Sequence, residues 1–220
     1  YKSPTDMGVN MVGHAIVDDE VCRQAGEAEI VRRYFSAATE LKRTGAGQRA
    51  LDKIEILMNR ANITTNLSPA RSACLLKSEM TGGPAGAMVL PNGSVVTGKT
   101  GNLLGAASAL LMNALKGVSD VEDDVDVISD DVLEPICHLK SEHLGNENPR
   151  LHSDETLLAL SVSSASNPLA ERLIDNADKL KGCDAYFSVI ISSTDEKLYR
   201  TLGMNVCCEP KFESHRYYHK

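Results

Sequence analysis

Gly93-Ser94-Val95-Val96-Thr97-Gly98-Lys99-Thr100 matches the phosphate-binding pattern G-x-x-x-x-G-K-[ST] at every fixed position. Two folds are open to it, a phosphate-wrapping loop or a pair of strands. A phosphate-wrapping loop needs a strand before it, a curl of free backbone N–H groups, and a helix after it. The β-branched pair Val95-Val96 suits extended backbone far better than such a curl. Just upstream, Pro91-Asn92-Gly93 carries Asn-Gly, a strong signal for a tight turn between two strands. With the apolar run 86–90 before it and 94–97 after it, the stretch reads as a β-hairpin. Gly93 then belongs to the turn, and Gly101 weakens any helical turn starting directly after Thr100. An ATP-dependent phosphate-loop enzyme stays as an alternative that requires residues 91–100 to be a loop.

The hairpin reading leaves a narrower functional option. Thr97, Gly98, Lys99, Thr100, Gly101 and Asn102 lie where a strand hands over to an apolar helix read at 101–116. A helix N-terminus, a Lys and two Thr hydroxyls favour a phosphate or carboxylate, with Lys99 as the leading candidate. The same residues also read as a plain strand-to-helix turn with two glycines.

Outward from this centre, helical spacing dominates the first third of the chain. Ser3-Pro4-Thr5-Asp6 reads as the start of a short helix to residue 16. A long amphipathic helix follows over 18–43, stopped by Gly45 and Gly47, then helices at 48–61 and from Ser68-Pro69 to about Met80. Thr81-Gly82-Gly83-Pro84 marks a change from helical to strand-bearing sequence, so a boundary is placed there. Beyond the hairpin and central helix come a strand at 125–128 and helices at 131–143, 153–164 and 168–180. A strand at 186–191, a helix at 195–202 and a strand at 205–208 complete the order. The pattern is α/β: a helical subdomain, 1–82, followed by an α/β/α layered domain with a mixed sheet, 83–220.

Composition bounds the function. The 220 residues are 42% hydrophobic and 24% charged, with three Phe and no Trp, so the core is aliphatic. A formal charge of −7, with an acidic run over 120–131, argues against a nucleic-acid surface. The longest mostly apolar stretch, 103–115, is too short to span a bilayer. Six cysteines without a C-x-x-C pair fit a reduced, cytoplasmic protein. The start at Tyr1 suggests part of something longer.

Further candidates are sparse. Arg150 and His152 stand just before a helix start, placed to bind an anion or move a proton; Ser153 or Asp154 capping a loop is the plainer account. Ser3, Thr5, Asp6 and Asn10 could line a cleft between the domains. Cys137, His138, Glu142 and His143 share a helix, but only His138 and Glu142 have the i, i+4 spacing, so no metal is expected. Glu209-Pro210-Lys211 follows the last strand, where open sheets gather ligands.

Several stretches together carry a resemblance: Tyr1-Lys2-Ser3-Pro4-Thr5-Asp6-Met7-Gly8-Val9-Asn10-Met11, Val96-Thr97-Gly98-Lys99-Thr100, Leu103-Leu104-Gly105-Ala106, Asn148-Pro149-Arg150-Leu151-His152, Cys208-Glu209-Pro210-Lys211 and Tyr218-His219-Lys220. From end to end the chain resembles the C-terminal half of a bacterial family of unknown function, DUF1846. The resemblance implies that Lys220 is the natural C-terminus and that a missing N-terminal half holds a glycine-rich segment ending in Gly-Lys. It also implies a topology similar to cytidine deaminases without their chemistry. Where the zinc and proton-transfer motifs would fall, the sequence reads Thr100-Gly101-Asn102 and Leu133-Glu134-Pro135-Ile136-Cys137-His138. The expected function is part of a cytoplasmic enzyme binding a phosphorylated or carboxylated small molecule or nucleotide. A homo-oligomerisation module supporting a nucleotide-binding half is the rival. Neither reading names a cofactor, a nucleic acid or a membrane as partner.

Overall fold

The computed structural model describes residues 18–213, so the helix expected before residue 16, the polar residues Ser3 to Asn10 and the C-terminal Tyr218 to Lys220 lie outside it. Helix α1, Asp19–Thr44, starts because the Asp18 carboxylate accepts the Val21 N–H at 2.9 Å. It stops at Gly45, whose φ of 71° few other residues adopt cheaply. Helix α2, Gln48–Ala61, and helix α3, Pro69–Thr81, follow, the latter with Pro at its first turn and Gly82 past its end.

Strands β1, Ala85–Val89, and β2, Val95–Lys99, form the hairpin, with Ala85 opposite Lys99 and Val89 opposite Val95. Gly93 supplies the turn at φ 81°. The phosphate-loop alternative is thereby corrected: Val95 to Lys99 pair with a neighbouring strand and cannot wrap a phosphate. Strand β3, Asp184–Phe187, pairs antiparallel with β1, and strand β4, Asn205–Cys208, pairs parallel with β3, giving the order β2-β1-β3-β4. The fold class is α/β with a mixed four-stranded sheet. The finer likeness to cytidine deaminases rests on the resemblance alone.

Helices cover both faces of the sheet. Helix α4, Ala106–Val118, lies against β2 and β1, and Leu110, Leu111 and Leu115 are fully buried there. Each such side chain contributes roughly 1.5–3 kcal/mol by leaving water. Gly98 makes this approach possible, because a Cβ at that position would sit 2.2 Å from the Leu110 nitrogen. Helices α5, Asp130–His138, α6, Ser153–Ser164, α7, Pro168–Asp175, and α8, Ser193–Thr201, complete this side. On the opposite face, Val31 and Phe35 of α1 and Ala70 and Cys74 of α3 pack on Ala87 and Tyr186.

Several expectations need correction: the strand read at 186–191 is β3 and ends at Phe187, and the helix read at 168–180 ends at Asp175 with a separate 3-10 turn, Ala177–Leu180, after it. Residues 125–128 form no strand: the Val-Asp-Val alternation imitates one, but Val127 and Ile128 are buried as loop residues and the Val127 carbonyl accepts the Asn167 Nδ2 at 3.0 Å. The central helix begins at Ala106 rather than 101, because the Gly101 N–H bonds to the Leu104 carbonyl and Leu104 bridges to Leu151. The helix read at 131–143 is α5 followed by one π turn, Leu139–His143. Among the described residues no helix is long and apolar enough to cross a membrane.

Candidate functional site

At one end of the sheet, β2, β3 and β4 finish and β1 begins, and a cavity of about 80 Å³ opens there. Three helices start around it. The first turn of α4 contributes Gly105, Ala106 and Ala107, and no side chain caps this helix. Its N-terminal N–H groups and dipole therefore favour negative charge. Tyr199, buried in α8 and stacked edge-on to Phe187 at 5.4 Å, donates its hydroxyl to the Ala107 carbonyl at 2.8 Å and holds that turn in place.

His152 stands at the start of α6 and Asp195 in the first turn of α8. His152 Nδ1 donates to Asp195 Oδ2 at 3.1 Å. The other carboxylate oxygen accepts the Ser153 N–H at 2.8 Å and the Ser153 hydroxyl at 2.7 Å, and Ser192 donates to Oδ2 at 2.7 Å. Burial alone would raise the Asp195 pKa, but these donors, His152 first among them, outweigh it and hold the carboxyl below its ordinary range. The same contact raises His152 above its usual value, against burial and the nearby Lys140. With Nδ1 committed to the carboxylate, Nε2 is left to exchange protons. This is a dyad and not a nucleophilic triad: the Ser192 hydroxyl approaches the same Nδ1, at 3.4 Å, and spends its proton on Asp195.

The segment before His152 is braced from below. Lys140, 3% exposed, reaches in from the π turn and donates to the Arg150 carbonyl and to Glu155 Oε2, both at 2.7 Å. Glu155 Oε2 also accepts the His152 N–H at 2.7 Å. Arg150, 7% exposed, lines the cavity and donates from Nε to the Gly101 carbonyl at 2.7 Å. Glu213, from the segment after β4, lines it too, and burial raises its pKa while Arg150 draws it down.

Of the residues singled out by sequence, Arg150, His152 and Thr100 line this cavity together. Thr97 spends its carbonyl on Asn113 Nδ2 at 2.8 Å, Gly98 is packed under α4, and Lys99 and Asn102 are exposed and do not line it. The N–H groups of Thr100, Gly101 and Gly105 are taken by the Pro84, Leu104 and Leu151 carbonyls at 3.0, 2.9 and 3.3 Å, so the open helix start lies at Ala106 and Ala107 instead. Glu209, at the end of β4, is bound by Arg71 at 2.8 Å and by the Tyr186 hydroxyl at 2.7 Å, which ties α3 to the sheet. Among the described residues no group of three or more His, Cys, Asp or Glu is gathered for a metal. Burial pushes the Cys74 and Cys207 thiols up to about 12 and Cys208 to about 11, which disarms them as nucleophiles.

Asp195, Ser192, Lys140 and Glu155 escaped the sequence reading. Ser192-Ser193-Thr194-Asp195 fits the S/T-x-x-D/E capping pattern, and that signal marks a helix start without revealing what else the carboxylate binds.

Comparison with known proteins agrees with the motif-level resemblance. The family model described as "Domain of unknown function DUF1846, C-terminal" matches residues 66–218, and that described as "Domain of unknown function DUF1846, N-terminal" matches residues 1–62. The match is thus not confined to the C-terminal domain. A UPF0371 protein of Corynebacterium efficiens is 46% identical over 220 residues, covering 100% of this chain and 44% of the relative. A UPF0371 protein of Streptococcus pneumoniae is 44% identical over 220 residues with the same coverage. This chain spans less than half the length of these relatives, and the segments that build the cavity fall inside the matched regions. The chain belongs to the DUF1846 family.

Proposed function

We propose that the cavity binds a small phosphorylated or carboxylated molecule and that His152, held by Asp195, exchanges a proton with it. The observation that carries this reading is the convergence of a carboxylate-oriented histidine, a buried arginine and an uncapped helix start on one cavity. Arg150, itself buried, and the first turn of α4 supply positive potential in a partly enclosed cleft, so an anion gains more there than on the open surface. A histidine with its Nδ1 fixed and its pKa raised is positioned as a proton donor near neutral pH. The chemistry supported is anion binding with acid–base assistance, performed within a longer protein.

Thermal shift with inorganic phosphate, nucleotide and small carboxylates tests this. At least one anion is expected to raise the melting temperature, and His152→Asn or Arg150→Lys to remove most of the rise. Lys99→Ala is expected to leave it intact. Loss of the shift in Lys99→Ala would move the site to the end of β2, and no shift with any anion would sink the proposal.

A further inference from the structure

Glu213 presents a problem that the anion reading does not solve. Its Oε1 is buried and finds no hydrogen-bond partner among the described residues, although it lines the same cavity as Arg150 and His152. A buried acceptor left unpaired costs free energy, and native structures rarely keep one without a use. An oxygen with its lone pairs unspent accepts from whatever donor enters the cavity.

Resting on the proposed anion site, we infer that the ligand is bifunctional: it carries a hydroxyl or amino group one or two atoms from its phosphate or carboxylate, and that group donates to Glu213 Oε1. Arg150 and the start of α4 take the anionic end, and Glu213 reads the donor. The size of the cavity is compatible with this, since about 80 Å³ admits the head of a hydroxy acid, an amino acid or a hydroxylated phosphate ester. The chemistry also supplies selectivity. An analogue without the donor leaves Oε1 buried and unpaired in the complex, and such sites discriminate strongly against the missing group. Burial raises the Glu213 pKa and the Arg150 charge opposes that rise, and in either protonation state the carboxyl keeps lone pairs that accept.

Calorimetric titration with matched pairs tests this: lactate against propionate, and glycerol 3-phosphate against propyl phosphate. The wild-type protein is expected to bind the hydroxylated member on the order of ten- to a hundredfold tighter in at least one pair. Glu213→Leu is expected to erase that preference and to bind the plain anion no more weakly than the wild type, since it removes a carboxyl beside Arg150. Glu213→Gln, which keeps a carbonyl acceptor, is expected to retain part of it. Because Glu213→Leu removes a buried polar group, its melting temperature without ligand is expected to be no lower than that of the wild type. Arg150-dependent binding with no preference in either pair overturns this inference and leaves the anion site standing. A preference that survives in Glu213→Leu overturns the role of Glu213, and failure of every anion to bind overturns both.

Discussion

Asp195 joins more of the site than any other side chain. Its two oxygens hold the ring of His152, the start of α6 through Ser153, and the Ser192 that caps its own helix. Replacing it with Asn puts an amide where donors converge, and the expected cost is about 2–4 kcal/mol, measured by urea unfolding. The pH dependence follows from the signs of the two shifts. The His152 pKa is raised above its ordinary 6.5, so its contribution is complete below that pH and is lost as pH rises through the folded value. The Asp195 pKa is held below its ordinary 3.8, so its contribution is complete above that pH and is lost as pH falls through the lower folded value. The pair therefore stabilises most between pH 3.8 and 6.5, and Asp195→Asn is expected to flatten stability on both sides of that window. An unchanged pH profile in the variant would show that the two groups titrate independently. At this scale the sequence exposed His152 and Arg150 through their place before a helix, but not Asp195, which meets them from 43 residues away in the chain.

At the scale of elements, the site depends on how four segments end. The hairpin was legible because Asn-Gly fixes its turn and Val95-Val96 its second strand, and α1, α2 and α3 because their caps and apolar spacing agree. Misreadings came where local pattern and tertiary pairing part: Val-Asp-Val at 125–127 alternates like a strand yet has no neighbouring strand to pair with. The handover from β2 to α4 looked direct, but the Leu103 carbonyl and the Gly105 N–H bond to Leu151 first, which delays the helix to Ala106 and brings the Arg150 segment beside it. No local signal announces a pairing with residues so far along the chain. The π turn after α5 is part of the same assembly, since it directs Lys140 inward to the Arg150 carbonyl and Glu155. Lys140→Met keeps the bulk but strands these acceptors, and is expected to destabilise the chain by roughly 2–4 kcal/mol and to weaken anion binding. Denaturant unfolding alongside the thermal shift checks this; a variant as stable and as responsive as the wild type would show that the brace is dispensable.

Over the whole molecule, the sheet separates two apolar clusters with different roles. One joins α1 and α3 to the sheet through Phe35, Cys74 and Tyr186, and is locked at its edge by Arg71 and Glu209. The other holds α4, α6 and α8 so that their starts meet at one end of the sheet. The chemistry-bearing groups gather at that end because β3 and β4 run parallel and finish together there, as in other open α/β sheets. What remains of the phosphate motif in this architecture is structural: Gly93 turns the hairpin, Gly98 seats α4, and Thr100 lines the cavity. If the proposed site is right, His152, held by Asp195, shares its cavity with a bound anion. Titration of the His152 ring by NMR, with and without inorganic phosphate, tests it most directly. The expected result is a pKa above 6.5 that rises further with phosphate and falls in Asp195→Asn. A ring that titrates at its ordinary value and does not respond to phosphate or any other anion would contradict it.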